Sequence, residues 1–192
     1  MTPVDFFFDP GCPYTWRTSR WIADVADAGA AAVTWRLMSL SVLNEGKEIP
    51  EEYRPLMAQN VRVLRVLAAV EDNDARARLF TALGTRRHEQ GADYDDDTIA
   101  AAVAEAGLPD ETVKAADDEA FDALVRASHD DAQAAVGQEA GSPILRVGGK
   151  AWFGPVVVPV PEREEGLRLF EAVRLLADVP SFSELKGSRN PF

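Results

Sequence analysis

The run Val4 to Asp9, VDFFFD, constrains the fold more than any other stretch of this chain. It holds three consecutive phenylalanines, and Asp9-Pro10-Gly11 closes it with a turn signal. A short, continuous apolar run bounded in this way suits a strand buried on both faces. Pro13 follows at a position where a helix can begin, because the first turn has no use for its missing N–H. An amphipathic pattern then runs from Trp16 through Ile22, Val25 and Ala26, with Gly29 as its stop. AVTWRLMSL (32–40) starts with alternating apolar and polar residues and reads as a second strand. Strand, helix, strand predicts a parallel pair joined by a right-handed crossover.

The pattern changes between 50 and 135. This block is rich in Ala, Leu, Arg, Glu and Asp, with interruptions at Gly84, Gly91 and Gly107-Leu108-Pro109. It predicts helices over about 50–72, 74–90, 95–106, 110–115 and 117–135, with capping residues at Asp95 to Thr98 and Asp110 to Thr112. In GSPILRVGGKAWFGP (141–155), Ile144 to Val147 and Ala151 to Phe153 read as strands, and Gly148-Gly149 as the hairpin between them. EREEGLRLFEAVRLLADV (162–179) carries Leu167, Phe170, Val173, Leu176 and Ala177 on one helical face. The tail from Pro180 to Phe192 shows no pattern. The order β-α-β, helical block, β-β-α predicts an α/β chain with a thioredoxin fold. The pattern predicts that residues 1–49 and 136–192 form the thioredoxin-like domain, and 50–135 a large inserted α-helical subdomain.

Charge and cysteine content narrow the function. A formal net charge of −12, with no Lys/Arg-rich block, argues against a nucleic-acid surface. No run approaches the roughly 20 apolar residues that span a bilayer, and the N-terminus lacks the parts of a signal peptide. Cys12 is the only cysteine, so no internal disulfide can form. A chain of this kind fits a reducing compartment, and the expected location is the cytoplasm. His88 and His129 stand in the helical block without a cysteine or a ligand-spaced partner, so no metal site is predicted. DYDDD (93–97) lacks the glycine and the terminal glutamate of a calcium loop. No dinucleotide fingerprint follows either early strand, so no nucleotide cofactor is predicted.

Cys12 opens the first helix, in DPGCPYTW. Only a thiolate attacks, and a free thiol has a pKa near ~8.5. Helix starts present unpaired N–H groups and a positive dipole end, so the thiol is expected below its ordinary value and open to solvent. Thr15 falls one turn on. Its hydroxyl could donate a hydrogen bond to the sulfur or merely cap and pack. Tyr14 and Trp16 flank the sulfur as pocket candidates, whereas Trp21 and Trp152 read as core.

These residues carry a family resemblance. A cysteine after the first strand, a helical insertion and Ser142-Pro143 before the third strand resemble the DsbA-like branch of the thioredoxin superfamily. FFFDPGCPYTWRTSRW, MSLSVLNE, GSPILRV and WFGPV resemble the actinobacterial mycothiol-dependent nitroreductase group over nearly the full length. Members carry a CPWC motif. The motif here is Cys12-Pro13-Tyr14-Thr15, with Thr15 in the place of the resolving cysteine. The resemblance implies a cis Ser142–Pro143 bond opposite the sulfur, with Pro13, Tyr14, Trp16, Ser142 and Pro143 contacting substrate and Cys12 and Thr15 catalytic. The expected cofactor is a low-molecular-weight thiol, mycothiol by resemblance. The expected partner is a small electrophilic or disulfide substrate, with a homodimer left open. Two other readings stand beside this one. In a kappa-class glutathione-transferase-like transferase or isomerase, a bound cofactor thiol would be the nucleophile, activated by Thr15 or Ser19. In a non-catalytic DsbA-like module, the site would grip extended peptides.

Overall fold

A computed structural model describes residues 1–137 and 139–188. The last four residues of the Pro180–Phe192 tail lie outside the described residues. Four strands form one sheet in the order β2-β1-β3-β4, with β1 Thr2–Phe8, β2 Ala31–Leu37, β3 Ile144–Val147 and β4 Lys150–Phe153. Strand β1 is central. It runs parallel to β2, with Phe6 opposite Trp35, and antiparallel to β3, with Phe6 opposite Leu145 and Phe7 opposite Ile144. Phe6, Phe7 and Phe8 are all fully buried, as a strand covered on both faces requires. Gly148 and Gly149 take φ of +58° and +82°, the left-handed pair that closes a two-residue hairpin without straining β3 and β4.

Helix α1 (Pro13–Asp27) crosses from β1 to β2, and Gly29 ends its last turn at φ +77°. Helix α7 (Arg163–Ala177) packs beside it. The Trp21 indole N–H donates to the Gly166 carbonyl at 2.9 Å, and the Trp21 ring lies 6.4 Å from Phe170. Between β2 and β3 come α2 (Leu40–Leu43), α3 (Arg54–Ala68), α4 (Asn73–His88), α5 (Asp96–Glu105) and α6 (Asp122–Val136). Asp72 and Asp95 cap α4 and α5, accepting from Ala75 and Thr98. The expected strand over 32–40 stops at Leu37 instead. Met38 still donates to the Phe8 carbonyl, and Ser39 then accepts from the Val42 amide and caps the short α2. The segment expected as a helix over 110–115 is a 3-10 turn over Asp110–Asp117, entered at Pro109 without a side-chain cap. No helix among the described residues is long and apolar enough to cross a membrane.

The helical block shares its core with the sheet. Phe8 stacks on Phe80 of α4 at 4.0 Å, and the Trp35 ring meets the edges of Phe6 and Phe8. Trp16 meets Phe80 edge-on at 5.9 Å. Such aromatic pairs each contribute about 0.5–1.5 kcal/mol beyond their buried area. Gly84 therefore differs from its expectation as an interruption, because it lies inside α4. A Cβ there would overlap Cζ3 and Cε3 of Trp16. The glycine is the clearance that lets the indole lie against the α4 backbone.

This clearance generates a prediction whose sign opposes helix propensity. Gly84→Ala gains about 1 kcal/mol of propensity in a helix interior. Trp16 cannot retreat from the new methyl, because Phe80, His88 and Arg20 hold its ring on other sides. Overpacking of this kind costs typically ~1–3 kcal/mol or more. Urea titration should show Gly84→Ala less stable than the wild type. A midpoint at or above that of the wild type would contradict the packing account.

Candidate active site around Cys12

The site is built on the loop between β1 and α1, and Asp9 fixes its shape. Asp9 is buried, 1% exposed. Its Oδ1 accepts from the Gly11 amide at 2.9 Å and from the Asn60 amide group at 2.7 Å. Its Oδ2 accepts from the Leu40 amide at 2.7 Å. One carboxyl group thus ties the loop to α3 and to the start of α2. Burial without a cation partner pushes its pKa up to about 6, against the pull of these three donors. The Pro10 carbonyl is held as firmly. Tyr94 donates to it at 2.9 Å, and His88 Nε2 lies 2.8 Å away. A carbonyl only accepts, so the His88 proton sits on Nε2. Gly11 leaves room for Asn60, whose side chain would lie 3.1 Å from a Cβ at position 11.

Cys12 is the N-cap of α1, with Pro13 in the first turn. Its sulfur donates to the Ser142 carbonyl at 3.5 Å. The Ser142 hydroxyl accepts from the Asp9 amide at 3.0 Å and meets the Thr15 hydroxyl at 2.7 Å. The Ser142–Pro143 peptide is cis, as are Gly154–Pro155 and Val158–Pro159. The Pro143 carbonyl accepts from Gly154, and Thr18 donates to the Pro155 carbonyl at 2.9 Å. The segment after β4 is thereby tied to α1.

Two expectations for Cys12 are corrected. The residue is buried, 8% exposed, rather than open to solvent. Its thiol is raised above its ordinary value rather than lowered. Burial dominates, and the nearby Asp9 charge adds to it. The Thr15 hydroxyl and the amides of Thr15 and Tyr14 pull the other way. The helix start does favour the thiolate, as position in the sequence suggests, but desolvation outweighs it.

The family model for the Rv2466c-like proteins, described as mycothiol-dependent nitroreductase Rv2466c, matches residues 11–187. The chain belongs to this family. Rv2286c of Mycobacterium tuberculosis is 32% identical over 203 residues, which span all of this chain and 84% of that protein. Family membership supports an oxidoreductase. Solved structures agree on the fold, a DsbA-like thioredoxin fold. A 2-hydroxychromene-2-carboxylate isomerase matches with a TM-score of 0.65 at 16% identity, over 93% of this chain and 100% of its own. A probable DsbA oxidoreductase from Streptomyces coelicolor matches at 0.62 and 16%, over 98% and 94%. The cytosolic disulfide reductase DsbM from Pseudomonas aeruginosa, solved with GSH, matches at 0.61 and 15%, over 89% and 98%.

Within this member of the Rv2466c-like family, Cys12, Thr15 and Ser142 come together, with Pro143 buried behind them. Pro13 is exposed and Tyr14 half-buried at the start of α1. Trp16 is placed differently from its expectation at the pocket. It is 1% exposed and lies in the core, stacked on His88 at 5.8 Å with the Arg20 guanidinium 4.1 Å from its ring centre. Ser19 also faces inward and donates to the Trp16 carbonyl. Asp9, Asn60, Tyr94 and the Pro10 contact of His88 escaped the sequence reading, because each acts through a partner far along the chain. The Asp9-Pro10-Gly11 turn signal is the only local trace of this arrangement. No group of three or more His, Cys, Asp or Glu among the described residues could hold a metal ion. A hollow of about 530 Å³ opens near the far end of α1, lined by Ala26, Asp27, Trp35 and Thr81, and shares no residue with the Cys12 group.

Asp9 sets the pH behaviour expected of the site. Its folded pKa lies above the ordinary carboxyl value of 3.8. Its contribution to stability is therefore complete below that value and is lost as pH rises through about 6. Where Cys12 titrates, Asp9 is already ionised and opposes the thiolate. Iodoacetamide alkylation of the wild-type protein should inflect above the free-thiol value of ~8.5. Asp9→Asn should move that inflection down. An unchanged or higher inflection in the variant would contradict the assigned charge effect.

Proposed function

We propose that the protein is a monothiol oxidoreductase in which Cys12 is the nucleophile and a low-molecular-weight thiol, mycothiol, completes the cycle. The observation that carries this reading is the convergence of the lone sulfur with Thr15, the α1 amides and the Ser142 backbone. Family membership supports the choice of mycothiol. Cys12 and Thr15 are the catalytic residues, and Pro13, Tyr14, Ser142 and Pro143 contact the substrate. The Cys12 thiolate attacks one sulfur of a small disulfide substrate. A Cys12–substrate disulfide forms, and the other half leaves as a thiolate. A mycothiol thiolate then attacks the substrate sulfur of this mixed disulfide. It releases the Cys12 thiolate and a mycothiol–substrate disulfide, so bonds and electrons balance at each step. The cytoplasm, with its reducing thiol pool, is the compartment this cycle suits.

One observation favours a second reading. Cys12 is buried with a raised pKa, while two hydroxyls, Thr15 and Ser142, stand 2.7 Å apart beside it. In a transferase-like site these hydroxyls would activate a bound cofactor thiol, and Cys12 would be dispensable. Turnover with mycothiol separates the two readings. Cys12→Ser abolishes it on the monothiol reading and spares it on the transferase-like one. Thr15→Val slows it on the monothiol reading and abolishes it on the transferase-like one.

The one-cysteine cycle also makes a kinetic prediction. The mixed disulfide has no internal thiol to clear it, so its loss depends on external thiol and slows in proportion as that thiol is diluted. Thr15→Cys supplies an intramolecular thiol one helical turn away and should clear the adduct after free thiol is removed. The check is to load the adduct, desalt, and follow intact mass over time for both proteins. Concentration-independent clearance by the wild type would refute the cycle.

A further inference from the structure

We infer that Ser142 is a positioning residue whose hydroxyl aims the Thr15 proton at the Cys12 sulfur. The inference rests on the proposed function, in which Cys12 is the nucleophile. Either hydroxyl of the Thr15–Ser142 pair can donate, and the Asp9 amide favours one direction. The Asp9 amide can only donate, and it points at Ser142 Oγ from 3.0 Å. Ser142 Oγ is thereby an acceptor, and its own proton needs a destination. The Thr15 hydroxyl oxygen stands 2.7 Å away. If Ser142 donates to Thr15, the Thr15 proton is released toward the sulfur, which the Thr15 side chain does stabilise as a thiolate. If Thr15 donated to Ser142 instead, the two lone pairs of Ser142 Oγ would take both bonds, but the Ser142 proton would lose its acceptor in the pair and the sulfur would receive none. The first arrangement gives every proton an acceptor.

Ser142 meets the sulfur a second time through its carbonyl, which accepts from the thiol at 3.5 Å. The same residue therefore holds the S–H of the resting thiol and, through Thr15, orients the donor that meets the thiolate. Deprotonation exchanges one partner for the other with no movement of the backbone. Both side chains are buried, Thr15 at 0% and Ser142 at 5% exposure, so water does not compete for these groups. The titratable groups around the sulfur are Asp9 from the same loop, His88 from α4 and Tyr94 from the connection to α5. The latter two meet the site through the Pro10 carbonyl. None of these touches the Thr15–Ser142 pair by its side chain.

The test is the pH profile of Cys12 alkylation by iodoacetamide in the full-length protein. It reads the sulfur without mycothiol. Loss of the Thr15 donor in Thr15→Val should raise the inflection by about one unit, a roughly tenfold lower rate below it. Thr15→Ser keeps the hydroxyl and should keep the wild-type profile. Ser142→Ala frees the Thr15 hydroxyl to rotate away and should lower the rate about threefold, less than the direct loss, as an oriented hydrogen bond is worth more than a free rotor. Ser142→Thr should restore it. The decisive variant is the pair. In the Thr15→Val background, Ser142→Ala should change nothing further, because Ser142 acts on the sulfur only through Thr15. Multiplying effects in the pair, or a wild-type profile in Ser142→Ala, would overturn the inference. A wild type that shows these shifts yet forms no mixed disulfide would overturn the proposed function and leave the hydroxyl relay standing.

Discussion

The buried carboxyl of Asp9 is the constraint on which the site depends. Its three donors come from Gly11, from Leu40 and from Asn60, that is from the loop, the start of α2 and the middle of α3. Its amide reaches a fourth segment, the turn before β3, through Ser142. A buried carboxyl without a cation is costly, and here three N–H groups offset part of that cost. The raised pKa is the residue of what they do not offset. Removing this group would release the loop from two helices at once. The position of the sulfur against Ser142 is thus a consequence of a polar interaction that does no chemistry itself.

The same placement explains why the sulfur is reluctant to ionise. The helix start, the Thr15 hydroxyl and two amides favour the thiolate, while burial and the Asp9 charge disfavour it, and the second pair wins. A monothiol enzyme can use such a balance. A pKa raised above ambient pH lowers the thiolate fraction more than it raises nucleophilicity, so the resting thiol reacts slowly. A thiol held neutral by the Ser142 carbonyl is spared from oxidation until a substrate displaces it.

Much of the fold was legible from local pattern. Three adjacent phenylalanines announced the central strand, Gly148-Gly149 the hairpin, and the order of elements the thioredoxin-type arrangement that the structural neighbours share. The failures share one cause. Gly84 looked like an interruption because its purpose is a ring in another helix, 68 positions back at Trp16. Leu40–Leu43 turned helical because Ser39 caps it and Asp9 holds its first amide, contacts that no window over 32–40 contains. Trp16 was close to the sulfur in sequence, but α1 turns its ring toward Phe80 and away from the cysteine's surroundings. The Cys12–Thr15–Ser142 group was legible as residues. Its electrostatics were not, because desolvation is set by the whole fold and helix polarity by a few neighbours.

Intact mass spectrometry after incubation with a panel of oxidised low-mass thiols tests the central claim most directly. The account predicts a single adduct on the wild-type chain with the mass of one half of the disulfide supplied, lost in Cys12→Ala and reversed by added mycothiol. No adduct from any disulfide in the panel, with thiol-dependent turnover persisting in Cys12→Ala, would contradict it.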